Sequence, residues 1–592
     1  MRTKLLTLLV IFLFVLICSG CTGSSTGPCP APVTMEWKWL NPPPQGNHLW
    51  AVWGSSSTDV FAVGDVGTII HYDGITWGVL KSGTTESLYG VWGSSGTDVF
   101  TVGTNGTILH YDGVSWSQVH RDTGYTLLGI WGVSPSDVFA TGDGGKILHY
   151  DGTSWSSMTS GTDSYIYGIW GTSSRNVYAV GDMGVIIHYD GTSWSKMVSG
   201  TTAVLEGIWG SSDNDIFVVG ADRFGTQPNM YHYNGTKWSP MDSGAPLKEL
   251  TRVWGMSGND VFAVGEKGVI VHYDGTTWSS MNSGVSLIFN GVWGSAANDV
   301  FAVGEYGAIL HYDGAVWSIM NGTEVHYLYH AWGTSGGSVY FVGQSGTILH
   351  YDGAKMTRME SGSDLPLSGI NGLSDYSVFA VGAAVTGGEG TILHYDGSSW
   401  SAMLRGYPDA MHSVWAISEN DVFAVGENGC ILHYDGVKWV SMTSGVTAVL
   451  FEIWGAPGNH LFAVGAGGTI LHYDGASWAS MASGTTEDLY TVWGFSPADI
   501  YAAGSSGNLF HYDGSTWTLI NTGISLAVSG IWGSSGVDLF LVATQGYIYH
   551  YDGSTFTAMN RLTAQNFFGI WGASASDVFA VGEWGTILHY GP

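Results

Sequence analysis

One aromatic residue returns along this chain at a nearly constant interval, and that interval constrains the fold more than any other feature. It is Trp53, then Trp92, Trp131, Trp170, Trp209, Trp254, Trp293, Trp332, Trp415, Trp454, Trp493, Trp532 and Trp571, with Asn371 in the ninth place. The step is 39 residues, except for 45 after Trp209 and 44 after Asn371. A fixed period marks a repeat architecture, in which each copy is one supersecondary unit that buries its apolar face only against its neighbours.

Each of the fourteen units reads as four short strands. In the second unit they are 88–94 (LYGVWGS), 99–103 (VFTVG), 107–111 (TILHY) and 115–119 (SWSQV). Asp112-Gly113, between the last two, is a two-residue hairpin signal, because both turn positions favour positive φ. The second and third strands are almost unbroken runs of Val, Ile, Leu, Phe and Tyr, as expected of sheets covered on both faces. No helical period is sustained after residue 35. The predicted fold is therefore all-β: a tandem β-propeller of fourteen four-stranded blades packed face to face around channels. Propellers usually carry about four to eight blades, so two seven-bladed rings are the simplest division.

The ends suggest how the rings close. The chain finishes at His589-Tyr590-Gly591-Pro592, a third strand without a fourth, while Glu36-Trp37-Lys38-Trp39 reads as a fourth strand without the other three. The expected domains are a first ring over 35–314, begun by that orphan strand, and a second over 315–592, begun by the strand near Trp317. Each ring would then be closed by its own N-terminal strand, leaving no open edge. Nested crossings between the rings are the topological alternative. Repeats eight and nine are the most degenerate, with Met356 and Asn371 each replacing a tryptophan, a divergence expected at a ring–ring interface.

Residues 1–20 read as a lipoprotein-type signal peptide. Arg2 and Lys4 precede an apolar run from Leu5 to Ile17, and the small residues Ser19 and Gly20 precede Cys21. The run is short for a membrane span of about 20 residues. Acylation of Cys21 is expected, with cleavage nearby or a retained anchor as alternatives. Residues 21–34 form a small-residue, Pro-containing tether. The protein is thus expected to be secreted and lipid-anchored, at the cell envelope, outer membrane or exterior, touching the membrane through its lipid alone. After processing, Cys21, Cys29 and Cys430 remain, too few for a disulfide framework; a Cys29–Cys430 bridge is left open.

Eighteen basic against 48 acidic residues give a formal charge of −30, which argues against nucleic acid as a partner, since phosphate contacts need clustered Lys and Arg. No cofactor is expected. The charge is compatible with Ca²⁺, but the chain has no twelve-residue calcium loop.

The consensus L-x-G-V-W-G…D-V-F-A-V-G-x-x-G-T-I-L-H-Y-D-G-x-x-W resembles the BNR/Asp-box type of propeller repeat. It is similar to the photosystem II assembly-factor-like group, to WD40/YVTN-type propellers and to repetitive lipoproteins of bacteria. The resemblance spans residues 35–592 and implies the propeller fold. It departs from the Asp box, because Asp112 is followed directly by Gly113 and Trp116 lies one residue too near. Arg clusters suited to a pigment–protein partner are also missing, so photosystem assembly does not carry over.

Fourteen histidines recur in the third strands, from His71 and His110 through to His589, and ten repeats carry an aspartate before the second strand, such as Asp59 and Asp98. Zinc needs several ligands within about 2.2 Å, and equivalent positions of neighbouring blades cannot converge to that extent. Each histidine is expected to serve a polar group of its own blade. Nucleophile elbows, HExxH and phosphate loops are lacking, and a non-enzymatic protein is expected.

In a scaffold of copies, departures from consensus carry the information. The turns between second and third strands share a face with the loops from fourth to first strands, and both insertions, 221–229 and 383–389, lie there. The candidate binding face comprises Asp65, Asp143, Asp182, Asp222, Arg223, Phe224, Glu266, Glu305, Tyr306, Glu389, Arg405, Tyr407, Glu427 and Trp584, with no catalytic or metal residue assigned. Loops set on a rigid sheet are where recognition tends to reside. The expected function is a cell-surface binding or adhesion module recognising a glycan or a protein. A scaffold of an envelope complex is the alternative, and a glycan hydrolase or lyase the third reading.

Overall fold

The computed structural model describes residues 35–41, 45–221, 229–244, 250–320, 326–383 and 389–591. The expectations for the signal segment, Cys21, Cys29, the tether, and Asp222, Arg223 and Phe224 lie outside the described residues, as does most of the second insertion. Within them are fourteen antiparallel four-stranded sheets, numbered here as blades 1 to 14 in chain order, and no α-helix.

In blade 2 the strands are Leu88–Ser95, Asp98–Gly103, Ile108–Tyr111 and Trp116–His120. The Asp-Gly hairpin forms as the sequence predicts: Gly113 has φ +88°, and Asp112 Oδ1 accepts the N–H groups of Val114 and Ser115 at 2.9 and 2.8 Å. Those bonds favour the ionised form and pull the Asp112 carboxyl below its ordinary range. The hydrophobic cores lie between blades. Phe61, Val63 and Ile69 of blade 1 meet Leu88, Val91, Val99, Leu109 and Trp116 of blade 2. Phe61 and Trp116 meet edge to face at 6.2 Å, and burying a side chain of this size is worth about 1.5–3 kcal/mol.

The packing explains the recurring Trp-Gly pair. The indole of Trp53 lies against Gly93 of the next blade, where a Cβ would come within 2.6 Å of the ring. The glycine is the seat for the preceding blade's tryptophan. The same contact closes both rings, Trp293 against Gly54 and Trp571 against Gly333. Ring one is therefore blades 1–7 and ring two blades 8–14; among the described residues, no core joins blade 7 to blade 8.

The expected boundary at 314/315 is corrected by the strand order. Trp317–Ile319 stays in its own blade, with Tyr312 opposite Trp317. Glu36–Asn41 pairs antiparallel with Ile587–Gly591 and completes blade 14. Among the described residues the chain runs from Glu36–Asn41 in ring two to ring one by Leu49 and back to ring two by Leu328, so the nested arrangement is the one adopted. The reason is local. The Asp313-Gly314 turn holds the strand of Trp317 to its neighbour, and Asp313 Oδ1 accepts the N–H groups of Ala315 and Val316 at 2.8 and 2.9 Å. A hairpin closed over two residues costs far less loop entropy than a distant pairing. Blade 14, which has no hairpin partner of its own, is left to take the orphan strand.

The departure from consensus at Asn371 in repeat nine is matched by one in repeat ten. Asn371 lies in the channel of ring two, and its Oδ1 accepts the N–H of Ala416 at 3.0 Å. Ala416 stands where other blades have the glycine seat, and Asn371 stands where the preceding blade has tryptophan, so the two departures compensate. Asn371→Trp should therefore lose about 1–3 kcal/mol to overpacking. Adding Ala416→Gly should restore most of it, measured as the midpoint of denaturant unfolding; a double variant no better than the single one would refute the pairing.

Candidate functional site at the channel mouths

The second-to-third turns and the entries to the first strands do share one face, because they are hydrogen-bonded together. Asp65 N–H donates to His48 O at 3.0 Å, Thr104 N–H to Ser87 O at 2.9 Å, and Glu427 N–H to Ala410 O at 3.0 Å. The residue after the first fully buried apolar side chain of the first strand lies at this end, and in most blades it borders the channel. In ring one Trp50, Tyr89, Tyr167 and Glu206 occupy that position; in ring two Tyr329, His412, Phe451, Tyr490 and Phe568 do.

In ring one, turn carboxylates hold these rim residues. Trp50 Nε1–H donates to Asp65 Oδ1 at 2.8 Å, and the Tyr167 hydroxyl to Asp182 Oδ1 at 3.1 Å. Burial, with Asp182 beside it, raises the Tyr167 hydroxyl far above the usual tyrosine range. Trp50 meets Tyr89 edge to face at 5.4 Å. Below the rim, the third position of the first strand is glycine in most blades of ring one, and Arg252 in blade 6. It borders a cavity of about 200 Å³ with Tyr89, Tyr167 and Glu206. Arg252 Nη1–H donates to Thr251 O at 2.8 Å; burial lowers its pKa, and the charge of Glu206 opposes that shift.

In ring two the same third position carries polar residues that knit adjacent blades. Ser413 Oγ accepts Ile453 N–H at 3.3 Å, Glu452 Oε2 accepts Val492 N–H at 2.7 Å, and Thr491 Oγ1 accepts Ile531 N–H at 3.2 Å. His330 Nε2 faces Glu452 Oε1 across the channel at 3.4 Å. These groups border a cavity of about 110 Å³.

The remaining predicted residues separate into three groups. Glu305 Oε2 accepts Ile288 N–H at 3.0 Å, and Glu427 Oε1 lies 3.2 Å from His412 Nε2, so both join the rim. Asp143 and Glu266 open their turns, and Glu389 is exposed. Arg405 Nη2 donates to Gly362 O at 2.8 Å from the long fourth strand Trp400–Tyr407, whose Tyr407 hydroxyl lies 3.8 Å from Cys430 Sγ, away from the channel. Cys430 is buried and unpaired among the described residues.

Tyr306 and Trp584 face each other. Their rings stack at 3.7 Å, joining the turn of blade 7 to that of blade 14. Each sits at φ +55°, a left-handed position uncommon for bulky side chains, as do Val66, Met183 and Lys267 in the equivalent turns. Asn47 Nδ2–H adds a bond between the rings, to Leu562 O at 2.7 Å.

The recurring histidines lie outside the channel, as turn-end supports. In ten blades the histidine Nε2 meets the aspartate of its own blade, as in His71 to Asp59 at 2.6 Å and His311 to Asp299 at 2.7 Å. The ring stacks on the second-strand aromatic, His110 on Phe100 at 4.3 Å. Where the partner is Asn176, Ser338, Ser377 or His460, burial lowers the histidine pKa. Among the described residues no group of three or more His, Cys, Asp or Glu is arranged to hold a metal.

Sequence reasoning passed over the channel-facing second position of the first strand. Its signal was present as a variable column beside a neighbour that is always apolar: Trp50, Tyr89, Leu128, Tyr167, Glu206, Thr251 and Asn290 follow Leu49, Leu88, Leu127, Ile166, Leu205, Leu250 and Phe289, although Thr251 and Asn290 bond to the next blade instead of lining the channel.

No family model and no curated protein matches the chain. Solved structures do. PorZ, an essential bacterial surface component of the type-IX secretion system of Porphyromonas gingivalis, is 13% identical with a TM-score of 0.62, over 94% of this chain and 86% of its own. The GH74 enzyme of Niastella koreensis is 13% identical with a TM-score of 0.58, over 92% and 98%. YCF48 from Cyanidioschyzon merolae is 15% identical over 45% of this chain and 96% of its own, at a TM-score of 0.39. The likeness to PorZ and GH74 is one of fold. This is a β-propeller repeat protein.

Proposed function

We infer that the protein is a non-enzymatic binding module of the cell surface, held by an N-terminal lipid, whose ligand, a glycan or a protein, seats at the channel mouths. The observation that carries this reading is where variation sits. Side chains buried between blades repeat from copy to copy, whereas the residues facing the channel mouth differ from blade to blade and are rich in aromatics. A row of exchangeable aromatic and acidic side chains on a rigid ring is suited to recognition. Propellers serve many chemistries, so fold alone does not separate binder from enzyme.

The test uses the full chain in two formats, a broad glycan array and crosslinking on intact cells, beside Tyr89→Ala and Phe451→Ala. Saturable binding that weakens at least tenfold in either variant, at an unchanged thermal midpoint, is the expected result. Binding indifferent to both substitutions, or turnover of a bound glycan, would overturn it.

A further inference from the structure

Ring two differs from ring one in how its channel is charged. The half-buried cation of ring one, Arg252, is answered inside the ring, by the Thr251 carbonyl and the charge of Glu206. The cavity of ring two contains a carboxylate, Glu452, and no lysine or arginine among its lining residues. One oxygen of Glu452 is engaged by Val492 N–H, while the other has the 3.4 Å contact with His330, near the outer limit of a hydrogen bond. His330 Nδ1 is buried with no hydrogen-bond partner among the described residues.

Two aromatic walls stand between these groups and the mouth. Tyr329 and Phe568 form one, with centroids 5.7 Å apart; Phe451 and Tyr490 form the other, 5.4 Å apart. Ser368 and Ser529 occupy the gaps in the circle. Aromatic faces attract cations within about 6 Å, and more strongly where water is excluded. A carboxylate beneath them adds to that field, repels anions, and gains little from a neutral group. The cavity, about 110 Å³, is far below the roughly 300–1,000 Å³ of a typical small-molecule pocket, which suits one head group.

We propose that the mouth of ring two binds an organic ammonium group, with Glu452 as its counter-charge and Phe451, Tyr490, Tyr329 and Phe568 as its walls. The inference rests on reading this face as the ligand face. The ammonium has two sources, a protein amine or a quaternary head group, and the experiment separates them.

The full chain is titrated calorimetrically with Nα-acetyl-lysine methylamide and with choline, each beside a neutral counterpart, the Nε-acetylated lysine and 3,3-dimethylbutanol. One ammonium probe should bind saturably and at least tenfold more tightly than its counterpart; lysine alone points to a protein partner, choline alone to a quaternary head group. Glu452→Gln, which keeps an acceptor for Val492 N–H, should weaken binding at least tenfold. Phe451→Leu should weaken it at least threefold, and Glu419→Gln, in an exposed turn between a first and a second strand on the opposite face, should leave it unchanged. Equal affinity for the neutral probes, or full affinity in folded Glu452→Gln, overturns the proposal. If neither ammonium binds while a glycan or protein is still lost on Tyr89→Ala, this inference falls and the binding reading stands.

Discussion

A chain lacking residues 35–41 should lose ring two and keep ring one. Trp37 is buried in blade 14's core with Phe540, Ile570 and Leu588, and its Nε1–H points at Met559 Sδ at 3.2 Å. Removing a buried tryptophan costs about 3–5 kcal/mol, and the loss also bares the edge of Ile587–Gly591, a template for aggregation. Hydrogen exchange by mass spectrometry would read the result. Protection should collapse in 567–591 and spread through ring two, while peptides from 49–319 stay protected. Equal deprotection of both rings would show that they stand or fall together. Adding the missing segment as a peptide should restore protection in ring two.

Phe301→Ala is the counterpart in ring one, which is closed without an exchanged strand. Phe301 is 1% exposed and packs with Leu49, Val52 and Val60 of blade 1 across the closure. It meets Trp77 edge to face at 6.2 Å and also stacks on His311 at 4.7 Å. The expected loss is about 3–5 kcal/mol, seen as deprotection of blades 1 and 7 ahead of the others. His311→Ala, which removes the stack and the Asp299 bond but not the closure, should cost less. If it costs as much as Phe301→Ala, side-chain packing is not what closes this ring.

The two experiments follow from different means of closing one fold. In ring two the N- and C-terminal strands meet in a single sheet, so backbone hydrogen bonds and the Trp37 core act together. In ring one the first and last blades are each complete hairpin stacks, held by apolar contacts, the Trp293–Gly54 seat and one side-chain hydrogen bond, from Asn290 Nδ2–H to Leu49 O at 3.0 Å. The Tyr306–Trp584 stack joins the two rings, with His48 4.7 Å from Tyr306 and Tyr327 4.8 Å from Trp584.

Much of this was legible in the amino-acid order. The 39-residue step, the Asp-Gly hairpins and the doubly apolar second and third strands determined fourteen blades, because each is a local signal repeated many times. The ten His–Asp pairs were legible as supports for the same reason: they recur at fixed spacing, and a site does not occur ten times. Tertiary structure alone decided the rest. Which blade takes the orphan strand depends on which edge is left open after every hairpin has formed. Tyr306 and Trp584 read as exposed turn residues until two rings place their turns side by side. Asn371 and Ala416, 45 positions apart, read as two unrelated defects, since nothing local shows that one blade's tryptophan sits on the next blade's glycine. The channel is likewise invisible in any one repeat, because it exists only where seven first strands converge, and its charge is the sum of residues that never neighbour one another along the chain.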